Sequence, residues 1–219
     1  MTNRELDARV SQKDVPSLYD RLSGLYDLWG RLAESQARAR AIELASIQDG
    51  ESLLEVAVGT GLAFFEIAKR NPNGSNCGID LSPGMLAKAR SRMQRLGHES
   101  YSLSIGSAFE LPVETSSVDL LVNSYMFDLI PFGDMDRILQ EFRRVLRPSG
   151  RLILVNMTEA ERAAARIYSW IYRLSPKAIG GCRGVRLADR LERIGFRVEI
   201  REYHQQFLFP SEVIRAWVS

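Results

Sequence analysis

Two acidic side chains, Glu55 and Asp80, lie on either side of a glycine turn in the first half of the chain. Glu55 belongs to the apolar run 53–58, which predicts a buried strand, and Gly59 and Gly61 allow the backbone to turn sharply after it. Asp80 follows the next short apolar strand. Ligands of an open parallel sheet bind outside the carboxyl ends of its strands. Because a carboxylate there can accept both hydroxyls of a ribose, the sequence predicts a ligand that contains a nucleoside.

Two classes of nucleoside cofactor compete for this site. A dinucleotide fingerprint has a third glycine where the helix packs on the strand, and here Phe64 occupies that position. Glu55 would also repel a diphosphate, whereas it would attract an ammonium group, which S-adenosylmethionine carries. The residues therefore favour S-adenosylmethionine over NAD, and an oxidoreductase with a nucleotide cofactor is the alternative.

Three segments carry a resemblance to a known family. Residues 55–61, E-V-A-V-G-T-G, resemble motif I of the class I S-adenosylmethionine-dependent methyltransferases, with Ala57 in place of the first glycine, as in the ubiquinone and menaquinone C-methyltransferases. Residues 106–112, G-S-A-F-E-L-P, and 143–152, R-R-V-L-R-P-S-G-R-L, are similar to two later segments of that family. The resemblance covers about residues 51–156 and implies an enzyme that binds S-adenosylmethionine and releases S-adenosylhomocysteine.

The resemblance also implies which residues bind the cofactor. Glu55 is expected at the ammonium group, Asp80 at the ribose, and Leu81 or Met85 against the adenine ring. The family has an acid at the position of Ser107, where a hydroxyl accepts a hydrogen bond from the adenine amino group more weakly than a carboxylate would. The complete predicted set is Glu55, Ala57, Gly59, Gly61, Asp80, Leu81, Met85, Ser107, Ala108, Phe109 and Asn123.

The order of strand-like and helix-like segments predicts one α/β architecture. Strands and helices alternate over residues 52–155, which is typical of a Rossmann-like, doubly wound and mostly parallel sheet. The tail adds two strand-like segments, 196–200 and 212–217. The family resemblance implies a seven-stranded sheet in which one of the closing strands is antiparallel.

Two segments outside the sheet are expected to select the methyl acceptor. Residues 1–48 are predicted to form a helical lid segment, and residues 158–195 a helical insert in the methyltransferase domain, 49–219. Both carry apolar and aromatic side chains at helical spacing. We therefore expect a small, apolar or lipid-like acceptor, such as a quinone or a phospholipid amine. The candidate substrate residues are Tyr19, Tyr26, Trp29, Tyr125, Arg183 and Arg186.

The insert carries a basic stripe, Arg162, Arg166 and Arg173, beside its apolar one. Two interpretations stay open: the insert packs on the domain with a solvated charged edge, or it covers an apolar substrate and makes weak peripheral contact with an anionic membrane. Arg183 and Arg186 likewise either neutralise an anionic substrate group or belong to the solvated surface.

Composition narrows the function classes. A net charge of +2 is too small for a typical nucleic-acid-binding protein, and the sequence after the fourth strand lacks the N-P-P-Y motif that holds a flipped base. Cys77 and Cys182 have no metal-ligand spacing, so no metal is expected. Neither a signal peptide nor an apolar run of membrane-spanning length is visible. The expected location is the cytoplasm, with the inner membrane surface as a second location.

Catalysis by such a protein depends mainly on positioning. Holding the acceptor and the methyl group in line contributes about 7–11 kcal/mol, whereas a general base contributes roughly 3–5 kcal/mol. His204, at the end of a predicted strand, is the candidate base. Carbon, nitrogen, oxygen and sulfur acceptors all fit this pattern. A module that binds S-adenosylmethionine without turnover is the remaining alternative.

Overall fold

The computed structural model describes residues 34–158, 183–206 and 209–219. The strands, in chain order, are β1 (Ser52–Val56), β2 (Ser75–Asp80), β3 (Tyr101–Ile105), β4 (Val118–Ser124), β5 (Leu146–Met157), β6 (Phe196–Gln206) and β7 (Phe209–Val218). The helices are α1 (Ser35–Ala45), α2 (Leu62–Arg70), α3 (Pro83–Met93), α4 (Phe132–Val145) and α5 (Ala188–Ile194), with a 3₁₀ turn at Phe127–Leu129.

The strands form one seven-stranded sheet in the order β3-β2-β1-β4-β5-β7-β6. Strands β1 to β5 are parallel to their neighbours in this series. Strand β7 is antiparallel to both β5 and β6. The predicted mostly parallel sheet with an antiparallel closing strand is therefore confirmed. The strand order reverses between β1 and β4, and such a switch point opens a crevice at the carboxyl ends of the strands.

Buried apolar side chains cover both faces of the sheet, which explains why β1 is apolar without alternation. Leu54 packs in a cluster that includes Phe142 of α4. Leu53, on the opposite face, packs in a cluster that includes Ala37 and Ala41 of α1. Since successive side chains of a strand point to opposite faces, α1 and α4 lie on opposite sides of the sheet.

Helix α1 is joined to the distant strand β6 by several polar contacts. Gln206 Oε1 accepts hydrogen bonds from Ser35 Oγ at 3.3 Å and from the Gln36 amide at 3.0 Å. The Arg40 guanidinium donates to both oxygens of Glu202, each at 2.8 Å. These contacts fix the first half of α1 beside the carboxyl end of β6.

Helix α3 begins as predicted, with Ser82 as its N-cap and Pro83 in the first turn. Ser82 Oγ accepts a hydrogen bond from the Met85 amide at 3.0 Å, and Ser82 is buried. Side-chain caps of this kind satisfy a backbone donor that has no partner within the helix. The turn that follows Asp80 is therefore stabilised by a local hydrogen bond between Ser82 and Met85.

We expect Ser82→Ala to lower the free energy of unfolding by about 1 kcal/mol, because the Met85 amide loses its acceptor. Urea denaturation would measure the change. Ser117→Ala is the matched control, since Ser117 Oγ makes an exposed hydrogen bond to the Glu114 carbonyl oxygen. A loss for Ser82→Ala no greater than that of the control would contradict the assigned cap.

Several predicted features lie outside the described residues. They are the substrate candidates Tyr19, Tyr26 and Trp29 and the basic stripe Arg162, Arg166 and Arg173. In the ranges that the structure describes, no helix combines the length and the hydropathy needed to cross a bilayer.

Candidate cofactor site

A cavity opens at the carboxyl edge of the sheet, where β1, β2 and β4 end. Its walls are formed by Val56, Ala57, Gly59, Asp80, Leu81, Ser82, Met85, Gly106, Ser107, Ala108, Phe109, Ser124, Tyr125, Met126, Leu129 and Ile130. Most of the predicted cofactor residues are in this set. The exceptions are Glu55, Gly61 and Asn123, which are next or close in sequence to lining residues. The cavity occupies the position in which open α/β sheets bind their ligands.

The Asp80 carboxylate joins two turns of the cavity wall. Its Oδ2 accepts a hydrogen bond from the Gly59 amide at 2.7 Å, and its Oδ1 accepts one from the Ser82 amide at 2.8 Å. A carboxylate offers about four acceptor positions, so Asp80 can serve both amides and a ribose at the same time. The residue that is predicted to bind the ribose thus also fixes the glycine turn against the start of α3.

The glycine turn permits a close approach of α3. Gly61 has a φ of +78°, in the left-handed region, and a Cβ there would lie 3.1 Å from both Cα and Cβ of Ala89. Ala57, which replaces the first glycine of the motif, adopts a φ of 60°. Of these two positions, only Gly61 therefore requires glycine, for space as well as for conformation.

Phe64, which argued against a dinucleotide site, is fully buried. The neighbouring strand makes room for it at Gly78, where a Cβ would lie 3.2 Å from Phe64 Cε2 and 2.8 Å from Val58 Cγ2. A large side chain in place of the third glycine is thus balanced by a glycine on β2. The Phe64 side chain fills the space between α2 and the sheet, so the close helix–strand contact of a dinucleotide fingerprint is absent from this turn.

Glu55 is the most electrostatically unusual residue at this edge. It is 2% exposed, and its Oε2 has no hydrogen-bond partner within the described residues. Burial raises the pKa of Glu55 well above its usual range, the nearby Asp80 charge raises it further, and Arg38 opposes both. A cation beside this carboxylate would favour its ionised form. An orphaned acid one residue before the cavity wall therefore fits a cofactor that carries an ammonium group.

The opposite end of the cavity is apolar, as an adenine ring requires. Leu81, Met85 and Phe109 contribute to its wall. The Phe109 ring lies under the Arg137 guanidinium, 5.2 Å from carbon to ring centroid. Ser107 Oγ accepts a hydrogen bond from the Phe109 amide at 3.2 Å. Ser107 thus lies at the position where the resemblance implies contact with the adenine edge.

We expect Ser107→Asp to tighten S-adenosylmethionine binding about fivefold, because a charged acceptor gains roughly 1 kcal/mol over a hydroxyl. Isothermal titration would measure the dissociation constant. Ser104→Asp adds the same charge at an exposed position of β3, outside the cavity wall. Equal effects of the two substitutions would assign the gain to net charge rather than to adenine contact.

The carboxyl end of β4 is held by two predicted residues. Asn123 is fully buried, and its Nδ2 donates to the Val56 carbonyl oxygen at 2.9 Å, which joins the ends of β4 and β1. The Tyr125 hydroxyl and Ser211 Oγ are 2.8 Å apart. Burial raises the pKa of the Tyr125 phenol well above its usual range. Tyr125 is therefore a neutral phenol in a fixed position on the cavity wall.

Arg183 is buried and therefore does not belong to the solvated surface, which was one of its two predicted interpretations. It is 2% exposed and donates to the carbonyl oxygens of Phe127, Asp128 and Ile130 at 3.3, 2.9 and 2.7 Å. Its guanidinium also stacks on the Phe132 ring at 4.4 Å. Arg183 therefore stabilises the 3₁₀ turn that forms part of the cavity wall. Arg186 is exposed.

His204 lies on β6 and is not among the residues that line the cavity. Its Nε2 is 3.2 Å from Glu202 Oε2, and Glu202 is in turn bound by Arg40. The structure places the histidine in the contact between β6 and α1. Its predicted role as a base is not supported by contact with the cavity.

Several lining residues were missed in the sequence. Gly106 directly follows a predicted strand, so the rule that ligands bind at strand ends would have found it. Leu129 and Ile130 belong to or follow the 3₁₀ turn, which has no periodic signal in the sequence. Their place on the wall depends on distant contacts such as those of Arg183.

Comparison with known proteins identifies the family of the chain. A methyltransferase domain family matches residues 47–184. The chain is 29% identical over 177 residues to demethylmenaquinone methyltransferase of Thermotoga maritima, covering 78% of the chain and 74% of the relative. It is 27% identical over 225 residues to nocamycin O-methyltransferase of Saccharothrix syringae, covering 91% and 79%.

Solved structures show the same fold. Magnesium protoporphyrin IX methyltransferase of Synechocystis PCC 6803, determined with bound S-adenosylhomocysteine, superposes with a TM-score of 0.65 at 15% identity, over 98% of this chain and 90% of that one. The family match, the relatives and the geometry of the cavity lead to one assignment. The chain belongs to the methyltransferase domain family and is a class I methyltransferase that uses S-adenosylmethionine, resembling the menaquinone methyltransferases.

Proposed function

We propose that this enzyme methylates a small apolar acceptor of the quinone type. The observation that carries the proposal is the wall next to the end of β4, where Met126, Leu129 and Ile130 line the cavity beside Tyr125. Apolar walls with few polar groups are typical of sites for apolar small molecules. The resemblance to demethylmenaquinone methyltransferase supports the same class of acceptor.

The proposed reaction is an in-line displacement. S-adenosylmethionine, when bound, would supply an electrophilic methyl group: the electron pair of the carbon–sulfur bond would stay on sulfur, the acceptor nucleophile would form the new bond, and the acceptor would release one proton to solvent. Asp80 would hold the ribose, and the Asn123 bond to Val56 keeps the ends of β4 and β1 in register. Positioning of this kind contributes about 7–11 kcal/mol, more than a base would.

His204→Ala tests whether a base on β6 takes part. We expect turnover to change less than twofold, because the imidazole contacts Glu202 and does not line the cavity. A general base contributes about 10²–10⁴-fold, so a loss of that size at saturating acceptor would restore the predicted role of His204. Steady-state rates over pH 6–9 would make the distinction.

An acceptor panel tests the proposed function. The purified chain is incubated with S-adenosylmethionine labelled in the methyl group and with demethylmenaquinone, phosphatidylethanolamine or a hydrophilic catechol. We expect label in demethylmenaquinone and stoichiometric S-adenosylhomocysteine. Preference for the catechol would contradict an apolar acceptor. Cofactor binding without S-adenosylhomocysteine from any acceptor would favour the non-catalytic binding module.

We also propose a cytoplasmic enzyme that makes weak peripheral contact with the inner membrane surface, where quinones and phospholipids are found. The basic and apolar stripes of the insert support this contact. Sedimentation with anionic and neutral vesicles would test it. Binding to anionic vesicles that weakens with salt is expected, and no difference between the two lipids would contradict it.

A further inference from the structure

Tyr125 lies on the face of the sheet opposite to the one that strand alternation predicts. Successive side chains of a strand point to opposite faces, and Leu121 of β4 packs in the cluster that includes Phe142 of α4. A regular continuation of β4 would put the Tyr125 ring on that same face. The ring packs instead in the cluster on the α1 side, together with Leu120. The backbone therefore changes direction at the end of β4.

The change of direction occurs at Tyr125 itself. Its φ is 53°, in the left-handed region, where a bulky side chain is a rare exception. Its amide donates to the Val155 carbonyl oxygen at 2.7 Å, and its ring centroid lies 5.7 Å from that of Phe209. A backbone in such a conformation persists only where surrounding contacts fix it, and such residues are concentrated at functional sites. Strands β5 and β7 supply these contacts here.

The Tyr125 hydroxyl meets a buried hydroxyl of β7. Ser211 Oγ lies 2.8 Å from the Tyr125 oxygen, and Ser211 is 1% exposed. Two hydroxyls carry two hydrogens, and the bond between them uses one. Within the described residues, neither hydroxyl has a second hydrogen-bond partner. Because buried donors are normally paired, the remaining hydrogen of this pair calls for an acceptor.

Tyr125 is the member of the pair that can present this hydrogen to a ligand. It lines the cavity beside the apolar side chains of Met126 and Leu129, whereas Ser211 is not among the lining residues. Burial raises the pKa of the phenol well above its usual range, so the phenol keeps its proton and acts as a donor. If Ser211 donates to the phenol oxygen, the phenol hydrogen is available to the cavity.

We propose that the Tyr125 phenol donates a hydrogen bond to an oxygen substituent on the ring of the methyl acceptor, and that Ser211 is the positioning residue that orients the phenol. The inference rests on the proposed function, which it narrows to acceptors that carry such an oxygen, as quinones and quinols do. It also gives strand β7 a part in acceptor recognition. Ser211 lies outside residues 51–156, over which the sequence resembles the family.

Two ring compounds of similar shape test the proposal. Duroquinone carries two carbonyl oxygens on its ring, and the hydrocarbon durene carries none. Equilibrium dialysis with saturating S-adenosylhomocysteine measures the Kd of each. We expect Tyr125→Phe and Ser211→Ala each to raise the Kd of duroquinone about 3- to 10-fold, as for the loss of one neutral hydrogen bond. The Kd of durene should change less than twofold.

The double variant distinguishes one shared bond from two separate effects. If Ser211 acts through Tyr125, the double variant loses no more affinity for duroquinone than Tyr125→Phe alone, because residues in one hydrogen-bonded pair are not additive. Tyr203→Phe and Ser100→Ala are the matched controls. Both hydroxyls make hydrogen bonds within the fold and neither residue lines the cavity. Both Kd values should stay within twofold in the controls.

An unchanged Kd of duroquinone in Tyr125→Phe or in Ser211→Ala would overturn the proposal. Equal losses for duroquinone and durene would assign the pair a packing role and would overturn it too, as would losses that multiply in the double variant. If the unaltered chain binds neither compound, the proposed acceptor class is wrong and this inference falls with it. If it binds duroquinone but methylates no quinone, only the proposed function is wrong.

Discussion

Replacement of Asp80 by alanine is expected to raise the Kd for S-adenosylmethionine about 10- to 150-fold. Charge-assisted hydrogen bonds are worth about 1.5–3 kcal/mol, and each 1.4 kcal/mol corresponds to a factor of ten. The carboxylate lines the cavity at the end of β2. No other residue that lines the cavity in the described part of the chain is a carboxylate, so the ribose hydroxyls would lose their charged acceptor.

The same substitution also removes acceptors from the Gly59 and Ser82 amides. Lower stability must therefore be separated from weaker binding. Asp119→Ala is the matched control: Asp119 Oδ2 accepts the Ser52 amide at 2.9 Å, and Oδ1 pairs with Arg147, at the amino ends of the strands. We expect the control to lower the thermal midpoint while the Kd from calorimetry stays within twofold.

Two results would contradict the role of Asp80. One is an unchanged Kd in folded Asp80→Ala protein, which would leave the carboxylate a purely structural role in the turns. The other is an equal rise of Kd in Asp80→Ala and Asp119→Ala, which would show that any loss of strand-end support weakens binding. Both measurements use the chain without an acceptor, so they do not depend on the proposed substrate class.

The parallel part of the fold was readable from sequence because its signals are local. The segments 75–79, 101–105 and 118–124 end at turn residues, and β2, β3 and β4 have almost the same limits. Buried parallel strands need apolar side chains on both faces. Strand β4 is therefore a continuous apolar run over residues 120–122, whereas β3, at an edge of the sheet, alternates apolar and polar residues.

The closing strands are longer than their sequence pattern. The apolar pattern of β6 covers 196–200, the strand was predicted to end before His204, and it extends to Gln206, where it pairs with Phe209 of β7. Residues 201–206 are polar and partly exposed, since β6 forms an edge of the sheet. Hydrogen bonding to β7, and not side-chain burial, makes this segment extended. The amino-acid composition therefore does not predict this part of the strand.

The residues of the site fall into the same two groups, those with a local sequence signal and those held by distant contacts. Asp80 and Gly59 act through contacts within one motif, about twenty residues apart, so their spacing is visible in the sequence. Arg183 binds carbonyl oxygens more than fifty positions earlier, and the wall residue Ile130 owes its position to that contact. Every residue has a backbone carbonyl oxygen, so the sequence does not show which of them accepts a hydrogen bond from an arginine. A buried arginine of this kind therefore cannot be distinguished in the sequence from one on the surface.

Glu34 is a second buried acid at the cofactor edge that sequence analysis did not identify. It is 6% exposed and precedes α1. Burial raises its pKa from 4.5 to about 7, and the Arg38 charge opposes the shift. The charges of Glu34 and Asp128 both act on the Tyr125 phenol. Glu34, Glu55 and Asp128 are thus three buried acids with raised pKa values.

This shift makes stability depend on pH. The folded state holds the Glu34 proton up to about pH 7, whereas the unfolded state releases it near pH 4.5. Between these values the folded state binds more protons, so the free energy of unfolding falls as the pH rises. Well above pH 7 the full penalty is present, about 3.5 kcal/mol, since each pKa unit between 4.5 and about 7 is worth about 1.4 kcal/mol.

Glu34→Gln is therefore expected to stabilise the chain by about 3.5 kcal/mol at pH 8 and to have little effect at pH 4.5. Urea denaturation across this range, without cofactor, would measure the difference. Glu99→Gln, at an exposed acid, is the control and should leave the pH profile of the unaltered chain in place. Burial still raises the pKa of Glu55 and of Asp128 in this variant, although Asp128 loses the contribution of the Glu34 charge, so the pH profile flattens without becoming level. A Glu34→Gln profile parallel to that of the unaltered chain would show that the Glu34 carboxylate is solvated in the folded state.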